Sequence, residues 1–105
     1  MATFNYFHAE EVISPKDFVK HVKEVYDGTC LGKEDFSIAL LNWKGEEVYG
    51  IRWNRTMREA NDPIKFTGKK KCLGIPISFA RPVWFVLPTE LNTAIEFFLK
   101  EQKNQ

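Results

Sequence analysis

The residues best equipped for chemistry are cationic, and they are gathered in one place. Between residues 52 and 81 lie eight basic side chains (Arg52, Arg55, Arg58, Lys65, Lys69, Lys70, Lys71 and Arg81) against two acids (Glu59 and Asp62), a local charge of +6. The rest of the chain holds seven bases and twelve acids, so a net charge of only +1 conceals one positive region. All four arginines fall inside it, and the guanidinium fork matches the oxygens of phosphate or carboxylate better than any other side chain. The sharpest cluster is Gly68-Lys69-Lys70-Lys71-Cys72-Leu73-Gly74, where three ammonium groups sit between glycines that let the backbone approach an anion closely. It lacks the Gly-Lys-Ser/Thr of a nucleotide-binding P-loop. A solvated turn with solubilising lysines accounts for it equally well.

Arginines are also interleaved with large aromatics, in Trp53-Asn54-Arg55 and in Ser78-Phe79-Ala80-Arg81-Pro82-Val83-Trp84-Phe85. Such a pattern lets bases stack on rings while arginines hold phosphates. Trp53 and Trp84 fall on strand faces predicted to be buried, which leaves Phe79, in a loop, as the exposed ring. The predicted ligand-binding set is therefore Arg52, Arg55, Arg58, Lys69, Lys70, Lys71, Phe79 and Arg81. Metal chemistry has little to stand on, because the only histidines are His8 and His21 and no ligand pair has a helical or Cys-x-x-Cys spacing. No metal or cofactor is predicted. Cys30 and Cys72 have no second pair beside them, the pattern of two reduced thiols. A Cys72–His8 nucleophilic pair would need only proximity in space, yet no motif surrounds either residue. No catalytic residue is predicted.

These groups must be positioned by one fold. A chain of 105 residues with 44% apolar and 14% aromatic residues is expected to form a single domain, residues 1–105, with its own core. The expected class is α+β, a small, mostly antiparallel sheet packed against two helices. The first helix is predicted over 15–27, with Ser14 as cap, Pro15 in the first turn, the apolar stripe Phe18, Val22, Val25 and Tyr26, and Gly28 at its end. A hairpin is predicted over 36–54, turning at Lys44-Gly45-Glu46, with Tyr49, Ile51 and Trp53 on one face and Val48, Gly50, Arg52 and Asn54 on the other. A buried strand over 83–87 and a helix over 90–101, with Leu91, Ala94, Ile95, Phe98 and Leu99 as its inner stripe, complete the core. Short strands over 3–8 and 64–77 are further candidates. The stretch 55–81 has no sustained period, so the basic region is expected to be partly irregular.

The phrases Gly50-Ile-Arg-Trp-Asn54 and Arg81-Pro-Val-Trp-Phe-Val-Leu-Pro88 resemble small uncharacterised proteins of bacteria and their mobile elements. That resemblance implies a bacterial or phage setting, in which small non-enzymatic binders and inhibitors are frequent, and it assigns no site. The opening MATFNYFHAEE is acidic where a signal peptide needs a basic and then an apolar stretch, so a cytoplasmic location is expected. No membrane partner is expected. The leading expectation is a non-enzymatic binding protein that holds a nucleic acid or nucleotide on its basic segment. The alternative is a protein–protein inhibitor or immunity-type interaction module, and an edge strand near Phe4 would offer a route to homo-oligomers.

Overall fold

The computed structural model describes residues 4–14, 19–29 and 36–103. Along the chain its elements are a 3₁₀ turn (Ala9–Glu11), β1 (Val19–Asp27), β2 (Phe36–Trp43), β3 (Glu46–Trp53), α1 (Met57–Ala60), α2 (Pro63–Phe66), β4 (Ile77–Ser78), β5 (Arg81–Pro82), β6 (Phe85–Val86), a second 3₁₀ turn (Thr89–Leu91) and α3 (Asn92–Lys103). The α+β class expected from the sequence is the one observed.

The hairpin predicted over 36–54 is the centre of the molecule. β2 and β3 pair antiparallel in unbroken register from Phe36↔Trp53 to Trp43↔Glu46. Both sides of the hairpin are apolar, and each has its own cover. Ala39, Leu41 and Val48 pack with Ala9, Val12 and Trp84 on one face, and Ile38 and Tyr49 pack with Tyr26, Leu87 and the inner side of α3 on the other. Trp84 is buried, as predicted, and donates its indole Nε1–H to the carbonyl of Val12 at 2.6 Å. Gly50 makes room for it, because a Cβ there would lie 2.7 Å from Leu41 Cδ1 and 3.0 Å from Trp84 Cβ.

β1 is a strand where the sequence predicts a helix over 15–27; residues 15–18 lie outside the described residues. β1 pairs antiparallel with β2, and its register shifts between Val19 and Val22 and again between Glu24 and Tyr26. Those bulges explain the difference. An extra residue in a strand breaks strict alternation, so apolar positions recur at uneven intervals that imitate a helical stripe. The β-branched Val19, Val22 and Val25 suit the extended chain. Gly28, expected to end the helix, follows the strand instead and donates its N–H to the Phe36 carbonyl at 3.1 Å.

β6 completes a sheet of order β1-β2-β3-β6. It is shorter than the strand predicted over 83–87, pairing only Val86 with Gly50 and Phe85 with Ile51. The strand predicted over 3–8 reduces, among the described residues, to one parallel bridge from Tyr6 to Cys72. α3 follows the helix predicted over 90–101 closely and packs through Ile95, Phe98 and Leu99. Leu91 and Ala94 are exposed rather than buried, since the inward stripe begins one turn later than the sequence implies. Among the described residues no helix is long and apolar enough to cross a membrane.

Candidate binding surface

The basic segment is more ordered than its lack of periodicity suggests. Two one-turn helices are set by their caps. Thr56 Oγ1 accepts the Glu59 N–H at 3.1 Å while Glu59 Oε1 accepts the Thr56 N–H at 3.0 Å, a reciprocal capping box that starts α1. Asp62 Oδ1 accepts the Ile64 N–H at 2.9 Å, and Pro63 occupies the first position of α2. The strand predicted over 64–77 therefore forms only at its last residue, Ile77, the first of β4. Ile64 to Phe66 is helical, and Cys72 to Ile75 touches other segments through the single bridges Tyr6↔Cys72 and Trp53↔Ile75.

Glu59 is the hub of this region. Its Oε2 accepts the Leu73 N–H at 2.6 Å, its Oε1 accepts the Gly74 N–H at 3.0 Å, and Lys65 Nζ stands 3.6 Å away. Burial works to raise its pKa, but the N–H groups of Thr56, Leu73 and Gly74 and the Lys65 ammonium outweigh it and leave the pKa lowered. The two residues it grips precede a tight passage. Gly74 has φ +66°, and a Cβ there would fall 2.0 Å from the Trp53 carbonyl oxygen.

The predicted ligand-binding residues divide into three groups. Arg52 is 3% exposed. The sequence places it on the hairpin face opposite Ile51, and that face is itself covered. Its Nη1 donates to the Val83 carbonyl at 2.9 Å and its Nη2 to the Leu73 carbonyl, so the guanidinium tacks two loop segments to the edge of β3 and is not presented to a ligand. Burial brings its pKa down to about 10, against the pull of Glu59, which leaves it cationic at neutral pH. Arg55 and Lys71 form the second group, turned toward the N-terminal segment. The Arg55 guanidinium lies 4.5 Å from the Phe4 ring centroid and 3.3 Å from Tyr6 Oη, and Lys71 Nζ lies 3.1 Å from Glu11 Oε2 and 4.8 Å from the Phe7 ring. Arg58 on α1, Lys69 and Lys70 on the turn after α2, and Arg81 on β5 are exposed.

Phe79 stands with Arg81 on a small hairpin that the sequence does not predict. β4 and β5 pair Ile77 with Pro82 and Ser78 with Arg81, leaving Phe79 and Ala80 as the turn. Both have left-handed backbones, with φ +50° and +62°. That conformation suits a two-residue hairpin turn, which normally draws Asn and Gly, and it costs an L-residue with a side chain about 1–2 kcal/mol. Phe79 is 99% exposed. With its ring wholly in solvent, Phe79 returns no packing to the fold for that conformation.

Other apolar side chains are exposed nearby in sequence, including Ile75, Ile77 and Phe85. Trp53 is 54% exposed, contrary to the prediction that its strand face is closed, because it lies at the end of β3 beyond the reach of β6. The signal for this surface was the apolar run Ile75-Pro76-Ile77 inside an otherwise cationic stretch.

Cys72, His8 and Asp27 lie in distinct surroundings. Cys72 is 1% exposed, and burial, then the Glu59 charge, push its thiol up to about 11, far from a thiolate at neutral pH. His8 Nδ1 faces both Thr29 Oγ1 at 2.9 Å and Asp27 Oδ2 at 3.4 Å, so the same nitrogen meets a hydroxyl and a carboxylate. Asp27 is buried and accepts the N–H groups of Ala9 and Thr29 at 3.1 and 2.9 Å, while the Ser37 hydroxyl lies 3.4 Å from Asp27 Oδ1 and 3.1 Å from Asn54 Oδ1, able to donate to one of them at a time. Burial opposes ionisation of Asp27, but hydrogen bonds from Thr29 and Ala9 prevail and hold its pKa below the usual carboxylate value. Among the described residues no group of three or more His, Cys, Asp or Glu could hold a metal ion. The chain matches no family model, no curated protein and no solved structure.

Proposed function

We propose that the protein is a non-enzymatic interaction module that docks on a partner protein through the Ile77–Pro82 hairpin, seating Phe79 in an apolar pocket with an acidic rim. The observation that carries this reading is the 99% exposure of Phe79 on a left-handed turn with no glycine. The acidic rim follows from charge complementarity with Arg81, which flanks the ring, and with the exposed Arg58, Lys69 and Lys70. Ile77 and Ile75 leading into the hairpin are 48% and 47% exposed, and aliphatic side chains serve protein contacts better than base stacking.

The test is affinity capture with the full chain and its Phe79→Ser variant in parallel, each with and without nuclease, followed by binding measurements on whatever is recovered. Expected is a protein partner retained after nuclease, at least tenfold weaker for Phe79→Ser, with an association rate that falls as salt rises. A partner that binds both forms alike would sink the reading.

The second reading, a nucleic acid or nucleotide held on the basic segment, draws on the same hairpin, since an exposed ring beside an arginine is also the geometry of a stacking platform. It predicts direct binding of single-stranded oligonucleotides with a steep salt dependence, weakened by Arg81→Ala and Phe79→Ser. Absence of oligonucleotide and nucleotide binding at low salt would eliminate it.

A further inference from the structure

A second feature is independent of the hairpin tip. Where α3 passes over the sheet, a cleft of about 620 Å³ remains, floored by Phe36, Ile38 and Ile51, with Ile95 and Phe98 of α3 along one side and Trp53, Ile75, Pro76 and Phe85 along the other; Arg52 also lines it. We propose that this cleft is the binding site for one small, uncharged aromatic molecule of two or three rings.

Size, polarity and ring geometry each bear on the occupant. The volume lies within the range of roughly 300–1,000 Å³ typical of sites for single small molecules. Among the described residues the indole of Trp53 is the one hydrogen-bonding side chain of the wall; Arg52 lines the cleft beside Ile51, but its side chain lies on the opposite face of β3, where its Nη groups meet the Val83 and Leu73 carbonyls. Water against such apolar walls finds little to bond to on the protein side, so its displacement by an apolar group is favourable. A peptide segment would bring N–H and C=O groups into the cleft with nothing to receive them, and leaving those unpaired opposes binding. A charged ligand would be desolvated without a free counter-charge. Aromatic character follows from the walls. Trp53, Phe36 and Phe98 form a continuous series of rings, Trp53 edge-on to Phe36 with centroids 6.1 Å apart and Phe36 tilted on Phe98 at 5.9 Å, and Phe85 stands at the opening, 59% exposed. Such a series offers faces and edges to another flat ring system at the separations aromatic pairs prefer.

The test uses N-phenyl-1-naphthylamine, an uncharged fluorescent three-ring probe, titrated into the full chain. Expected is saturable binding at one molecule per chain, with enhanced probe emission and quenching of tryptophan emission as Trp53 transfers energy to the bound probe. Ile75→Arg and Phe85→Ser change side chains that are 47% and 59% exposed, so both variants should retain cooperative thermal unfolding, and each should bind the probe at least tenfold more weakly. Phe97→Ser, on the exposed side of α3, should bind as the wild type does. Probe affinity within twofold of wild type in both folded cleft variants, or binding that does not saturate at one site, would overturn the proposal. So would sedimentation showing a dimer that dissociates as the probe binds, because a second copy would then be the natural occupant.

Discussion

The molecule contains two hairpins with turns of the same kind and opposite meaning. Lys44 and Gly45, at φ +52° and +88°, join β2 and β3. Phe79 and Ala80, at φ +50° and +62°, join β4 and β5. The first turn closes two eight-residue strands whose side chains build both cores, so its position is fixed by everything packed beneath it. The second closes two-residue strands in which Ile77, Ser78 and Arg81 are exposed, and it carries no glycine to ease the left-handed backbone. Packing explains the first and does not explain the second. A short hairpin that keeps strained, exposed residues is better understood by what it presents than by what it stabilises.

The largest way to test that contrast is to damage the long hairpin's core. Trp84→Ala removes the indole that fills the face made by Leu41, Val48 and Gly50, together with its hydrogen bond to Val12, and should destabilise the protein by about 3–5 kcal/mol in urea denaturation. A loss below about 1 kcal/mol would mean that this face is not the core described here.

A smaller effect is expected at Glu59, which supports the base of the short hairpin from outside it. Glu59→Gln removes a charge that three main-chain N–H groups address, at a cost of about 1–3 kcal/mol. The pH dependence has a definite sign. Because Glu59 and Asp27 both have lowered pKa values when folded, their contribution is present above the unfolded values of about 4 and is lost as pH falls through the lower folded values. Urea midpoints measured from pH 6 down to pH 3 should therefore fall, and the fall should be shallower in Glu59→Gln. Equal slopes in the two proteins would contradict the arrangement around Glu59.

How much of this was legible in the sequence differs between the two hairpins for a physical reason. The long one announces itself through alternation over 36–54, because a strand with two packed faces must place apolar residues at regular intervals. β1 was hidden by its bulges, which turned a strand's alternation into an apparent helical stripe. In the basic segment, charge was visible but destination was not. Arg52 lies inside because the face it occupies is closed by Trp84 and the N-terminal segment, a tertiary fact that no local pattern carries. The one-turn helices were written in Thr56-x-x-Glu59 and Asp62-Pro63, signals too short to register as periodicity. Phe79 was singled out as an exposed ring, and it is one, but the hairpin beneath it pairs too few residues to leave a strand signature.

The smallest effects fall on the turns themselves and separate the two most directly. Replacing Phe79 by Asn and Ala80 by Gly gives the short hairpin the residues its backbone favours, and should raise stability by about 1–2 kcal/mol while abolishing the proposed partner binding. Lys44→Asn makes the corresponding change in the long hairpin. There the relief of one left-handed residue is offset by loss of the Lys44 ammonium lying 5.8 Å from the Trp43 ring, so the stability should move by less than about 0.5 kcal/mol and partner binding should be unaffected. Thermal unfolding and binding measured on the same preparations would decide the matter. If Lys44→Asn gained as much stability as the Phe79 and Ala80 replacement, the strain at the short turn would be ordinary for this fold and its retention would no longer argue for function. If only the short hairpin gains stability, and only there at the expense of binding, the strain at Phe79 is tied to what the ring contacts.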